Sequence, residues 1–194
     1  MKKILLFLCF ILSFVIFADV IPGGWETDIS RAKQRAATEK KPIMLIISGP
    51  ASDAASRILK KDVIANSNFD KAAKKYAVCL IIYTNPGKKQ NKKDLKLQKT
   101  FAGIYKGTVP CYAVVDSKLK LLAIPGGKKA YDFIKTLSDV REKNGGRPIP
   151  ELKKLEKENL KEKLKESKKD KNKKENSRKD KKEKSSRKSS KKNK

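Results

Sequence analysis

The chain has 194 residues, of which 49 are Lys or Arg and 21 Asp or Glu, for a net charge of +28 and no histidine at all. That length suits one domain with a sizeable core plus extensions. Without histidine the chain alone cannot build Cys/His zinc sites or run Ser–His or Cys–His catalysis, so neither a metal nor a cofactor is expected. Residues 151–194 hold 21 of the basic and 9 of the acidic residues, leaving 28 and 12, a net +16, for the first 150. The body is basic as well as the tail.

Met1-Lys2-Lys3 followed by the run 4–17 has the form of a positive n-region and an h-region, and Ala18 suits the last position before cleavage. Residues 1–18 are expected to be a secretory signal peptide, which would export the protein to the periplasm, the cell envelope or the medium. The alternative is an uncleaved membrane anchor, but fourteen residues fall short of the roughly 20 needed to span a bilayer. Cys9 lies inside the h-region behind the bulky Leu8 and is not read as a lipidation site. The mature chain keeps Cys79 and Cys111, and two thiols are not a disulfide framework.

Residues 28–39 are predicted to be a helix, capped by Asp28 or Ser30, with Ile29, Ala32 and Ala36 as a narrow apolar stripe. Residues 42–47 form a continuous apolar run, as in a strand covered on both faces. A Ser48-Gly49-Pro50 turn then leads into a helix over 56–61. A further helical segment is expected over 69–75 and a second buried strand over 76–83. Residues 84–93 read as a polar loop, and 94–105 as a helix with Leu95, Leu97, Phe101 and Ile104. Runs at 111–115 and 119–124 flank Asp116-Ser117-Lys118, a hairpin signal. A last helix is predicted over 130–140, with Phe133, Ile134 and Leu137 facing inward.

Helices alternating with apolar strands, closed by a hairpin and a helix, argue a three-layer α/β domain with a central mixed sheet over residues 19–144. Gly145-Gly146-Arg147-Pro148-Ile149-Pro150 reads as a linker (145–150). Residues 151–194 are expected to be a disordered Lys-rich tail. Its first part, 151–167, has the composition of a transient charged helix, and from 168 onward there is no apolar residue.

Several motifs sharpen this reading. Trp25-Glu26-Thr27-Asp28 opens an Ala-bearing helix that ends at Lys40-Lys41-Pro42 and a strand. Downstream, Phe101-Ala102-Gly103-Ile104-Tyr105-Lys106-Gly107-Thr108-Val109-Pro110 precedes another strand. The order from about residue 25 to 140 resembles the thioredoxin-like superfamily, in particular its small exported branch. The resemblance implies a cis Val109–Pro110 peptide facing the redox motif, and cysteines at positions 53 and 56. This chain has Asp53-Ala54-Ala55-Ser56 there. The resemblance also puts Ile47 where thioredoxins proper carry a buried proton-shuttling acid. It further implies a strand order in which the strands of Cys79 and Cys111 are separated, so no bridge between them is expected.

The residues themselves leave several roles open. The turn places residues 53–56 at a helix N-terminus, where backbone N–H groups and the helix dipole stabilise an anion or a thiolate. Asp53 would be a general base or a partner-binding acid there, or simply the helix cap. Dithiol exchange is not expected, because Asp53 and Ser56 are not thiols. Cys111 is the candidate catalytic residue for a thiol enzyme acting through a single cysteine, or a small strand residue with no chemistry. Val109 and Pro110 would shape a groove for an extended protein or peptide partner, or only end a loop. Trp25 is expected to cover one end of the sheet.

The basic tail would attract anionic lipid or polysaccharide, or serve as a spacer. It carries no aromatics to stack bases, so sequence-specific nucleic-acid binding is not expected. The leading expectation is a non-catalytic binding or structural protein of the cell envelope. A Cys111-dependent oxidoreductase and a polyanion-binding adaptor remain as alternatives.

Overall fold

A computed structural model describes residues 21–85, 90–165 and 167. The expected signal peptide (1–18) and residues 168–194 of the tail lie outside these. So do residues 86–89 of the polar loop.

Helix α1 (Ile29–Glu39) starts at Asp28, whose carboxylate accepts from Arg31 N. It stops where Lys40 turns into the left-handed region at φ 51°. Strand β1 (Ile43–Ser48) is buried at every position, as a strand covered on both faces must be. Helix α2 (Ala54–Leu59) runs straight into a π-helical turn (Lys60–Ile64). Helix α3 (Ser67–Tyr76) is capped by Asn66 and followed by β2 (Val78–Tyr83). Helix α4 (Lys92–Thr100), capped by Asn91, precedes the hairpin β3 (Cys111–Val115) and β4 (Leu121–Ala123), and α5 (Ala130–Lys143) closes the domain.

The sheet order is β2-β1-β3-β4. Strands β1 and β2 are parallel, with Ile43 opposite Val78, and β3 runs antiparallel to β1, with Ile47 opposite Cys111. Glu26 adds a single parallel bridge to Leu80 at the outer edge of β2. Its backbone accepts from Ile81 N and donates to Cys79 O. Its carboxylate, almost buried, meets Arg35 at 2.8 Å and Arg31 at 3.5 Å.

Side chains alternate across the sheet and divide the core in two. Ile43, Leu45, Ile47, Val78, Leu80, Ala113 and Val115 pack under α1 and α4, with Ala32, Ala36, Leu97, Phe101 and Tyr105. The alternate residues meet an aromatic row on the other face. Trp25 packs on Phe69 (centroids 6.2 Å apart), Phe69 edge-on against Phe133 (5.8 Å), and Phe133 on Tyr112 (4.7 Å). Trp25 is 7% exposed and its indole N–H donates to Asp70 Oδ1 at 2.8 Å. This is the α/β, three-layer, mixed-sheet architecture expected.

Two boundaries differ from the sequence reading. The first compact unit extends to Leu152 rather than ending at 144. Within the expected linker Ile149 is 1% exposed, its N–H donates to Ser138 Oγ at 3.0 Å, and Arg141 Nε donates to Arg147 O at 2.9 Å. One apolar residue with a waiting side-chain acceptor is enough to dock a Pro/Gly-rich segment. Residues 152–165 are helical, where disorder is expected from 151. Apart from Asn159 they are all Leu, Lys or Glu, each a strong helix former. Among the described residues no helix is long and apolar enough to cross a membrane.

Candidate functional site

The turn between β1 and α2 brings the motif positions together. Gly49 N–H donates to Ser56 Oγ at 2.8 Å, and Ser56 N–H donates to the Asp53 carboxylate at 2.7 Å. The Ser56 hydroxyl also donates to Asp53, and these bonds hold the Asp53 carboxyl below the usual aspartate range. Asp53 N–H in turn reaches Pro50 O at 2.9 Å. Ser56 is fully buried. The hydroxyl that accepts from Gly49 and donates to Asp53 ties the strand end to the helix start by hydrogen bonds, with no covalent link.

The Val109–Pro110 peptide is cis and Val109 packs against this turn. A methyl group on Gly49 would stand 2.8 Å from Val109 Cγ2, 3.2 Å from Ser56 Oγ and 3.3 Å from Asp53 Cβ. Asp53, Ser56 and Val109 thus converge on Gly49, with Pro110 next to Val109 in the chain. Gly49 itself was not singled out from sequence. The signal for it is indirect: a residue between a buried strand and a proline, squeezed by a loop sixty residues away.

Cys111 starts β3 beside this surface, but its side chain packs against the α1/α4 core. Burial pushes its thiol up to about 12. Cys79 is 1% exposed and is also pushed to about 12, first by burial and then by the Asp70 charge. Both cysteines are free thiols. They lie on opposite faces of the sheet with β1 between them, Cys79 opposite Met44 and Cys111 opposite Ile47. Two strand spacings of about 4.8 Å exceed the roughly 7 Å that a disulfide allows between Cα atoms.

Ile47, where the resemblance puts an acid, is fully buried in apolar company. No group of three or more Cys, Asp or Glu able to hold a metal ion occurs among the described residues.

Residues 24–117 match the family model described as thioredoxin-like. No curated protein matches the chain. Among solved structures it is similar to one titled DsbH Oxidoreductase, at 15% sequence identity and a TM-score of 0.47, over 60% of this chain and 82% of that one. The β1–turn–α2 unit, the parallel β2 and the antiparallel hairpin led by Pro110 give the folded region a thioredoxin-like fold, in keeping with the thioredoxin-like family model that residues 24–117 match.

Proposed function

We propose that this thioredoxin-like domain is a non-catalytic binding or structural module of the cell envelope, exported by the signal peptide at residues 1–18. The observation that carries the reading is the Gly49–Ser56–Asp53 hydrogen-bond tie. It occupies the place where dithiol exchange would need two exposed cysteines, and it leaves both side chains engaged with the turn. An extended peptide partner would pair with backbone beside cis-Pro110, where Val109 and the Asp53 turn line the approach.

The state of Cys111 supports the same reading. A thiol raised to about 12 is almost wholly protonated near neutral pH, and the thiolate is the nucleophile. The test is insulin reduction by dithiothreitol with the full chain and its Cys111→Ser variant. The expected rate for both is that of dithiothreitol alone. In parallel, maleimide should modify Cys79 and Cys111 slowly in the native protein and rapidly in denaturant. Catalysis that depends on Cys111, or rapid native labelling of Cys111, would make the single-thiol oxidoreductase the better account.

A further inference from the structure

Strand β4 ends the sheet order β2-β1-β3-β4, and among the described residues only β3 pairs with it. The opposite edge of the sheet is treated differently. There Glu26 bridges Leu80, giving its N–H to Cys79 O and accepting from Ile81 N. A strand paired on one side only turns alternate N–H and C=O groups outward, which is a template for another strand. The side chains on this open edge are apolar. Leu121, Leu122 and Ile124 are between 39% and 53% exposed, three of the eight large hydrophobic residues exposed among the described residues. Exposed apolar residues scattered singly are ordinary, but three within four positions mark a contact surface.

The charges beside the strand select the kind of chain that fits. Lys118, Lys120 and Lys128 flank it, are exposed, and enter no ion pair among the described residues. The acids nearest in sequence are engaged with backbone. Asp116 accepts from Lys118 N–H and Lys120 N–H at 2.8 Å, and Asp132 accepts from Lys129 N–H at 3.0 Å. A second copy of this chain is a poor occupant, because it brings the same lysines and the same net charge of +28. The register also shifts, from Val115 opposite Leu121 to Val114 opposite Ala123, so Leu122 forms a bulge. Edge lysines and bulges are devices that keep like edges from pairing. An acidic partner is instead drawn to those lysines.

We propose that β4 accepts an extended segment of a partner protein in which acidic residues alternate with β-branched apolar ones. The segment extends the four-stranded sheet by backbone hydrogen bonds along the free edge of β4. Its apolar side chains cover Leu121, Leu122 and Ile124, and its carboxylates reach Lys118, Lys120 and Lys128. Strand β4 pairs with the end of β3 away from Pro110, so this surface is distinct from the groove of the proposed function. Neither depends on the other.

The test uses the full chain at physiological ionic strength and the amidated peptide Glu-Val-Glu-Val-Glu with an N-terminal fluorophore, read by anisotropy. A second peptide of the same sequence and charge has its interior backbone nitrogens methylated. The unmodified peptide should bind saturably, and the methylated one roughly tenfold more weakly, because its ladder hydrogen bonds are lost. On saturation the amides of residues 121–124 should gain protection from hydrogen exchange. Leu122→Gln and Ile124→Gln should each weaken the unmodified peptide several-fold. Thermal unfolding of both variants should stay close to the parent, since both side chains are exposed. Equal binding of the two peptides would mean that the lysines alone attract acid, and it would overturn the proposal. So would protection that falls elsewhere in the protein, the lack of saturable binding, or unaltered affinity in both glutamine variants. The peptide comparison and the exchange measurement use the parent protein, so a variant that fails to fold does not blunt the test.

Discussion

Gly49 sits where three side chains converge, and its missing Cβ is what lets the Val109 loop close over the turn. Gly49→Ala should destabilise the fold by about 1–3 kcal/mol through overpacking. Removing the obstructing methyls in a Gly49→Ala, Val109→Ala double variant should recover part of that loss, because the two sites touch. Urea unfolding of the two single variants and the double measures the coupling, and strictly additive losses would rule out the contact. Asp53 makes a second residue-scale prediction. Its carboxyl is held low in the folded state, first by the Ser56 hydroxyl and then by the Ser56 N–H. The native state therefore binds fewer protons than the unfolded chain as pH falls. The stabilisation is complete above the ordinary aspartate value of about 4 and is lost as pH falls through the lower folded value. Urea midpoints at pH 7 and pH 3 should differ less in Asp53→Asn than in the parent. Asp53 and Ser56 were legible in the sequence as non-cysteines at a helix start. The bond from Gly49 N–H to Ser56 Oγ was not, because it joins a side chain to a backbone N–H seven residues back.

At the scale of elements, the helices and strands were legible because their apolar periodicities are strong. Ala32 and Ala36 line one face of α1, and β1 is apolar at all but its last position. The π turn after α2 left no mark in the sequence, since its residues Lys60–Ile64 pattern like any helical continuation. The segment 145–150 misleads for a related reason. Gly and Pro mark a break in secondary structure, but they do not say whether the segment docks. Ser138 decides that here, accepting from Ile149 N–H at 3.0 Å while donating to Glu142 at 3.0 Å. Ser138→Ala removes the acceptor and should loosen this segment. Hydrogen exchange of the Ile149 amide, which donates to Ser138 Oγ, should then be several times faster than in the parent, with the melting of the sheet core little changed. Equal exchange rates would mean that burial of Ile149 alone holds the segment.

For the whole molecule, charge is the dominant property. Residues 168–194 carry 15 Lys or Arg and 4 Asp or Glu, and the first 150 residues are net positive on their own. Binding to heparin or to anionic vesicles should therefore fall steeply with added salt. Deleting residues 168–194 should weaken it strongly without abolishing it. Unchanged affinity after the deletion would assign the attraction to the body alone. The cut belongs after residue 167 rather than at the Gly/Pro segment, because Ile149 is part of the buried core.

The sequence by itself determined the layered α/β fold, the basic surplus and the lack of histidine chemistry, for these follow from composition and local periodicity. It also showed that positions 53 and 56 carry no thiol. Only the tertiary structure decided how those positions are used. The Val109 contact at Gly49 and the packing of Cys111 against the α1/α4 core join residues far apart in the chain, and the Ser56 tie depends on how the turn folds back onto the end of β1. Such pairings depend on which groups the sheet order and helix packing bring within a few ångströms, and no local pattern encodes that.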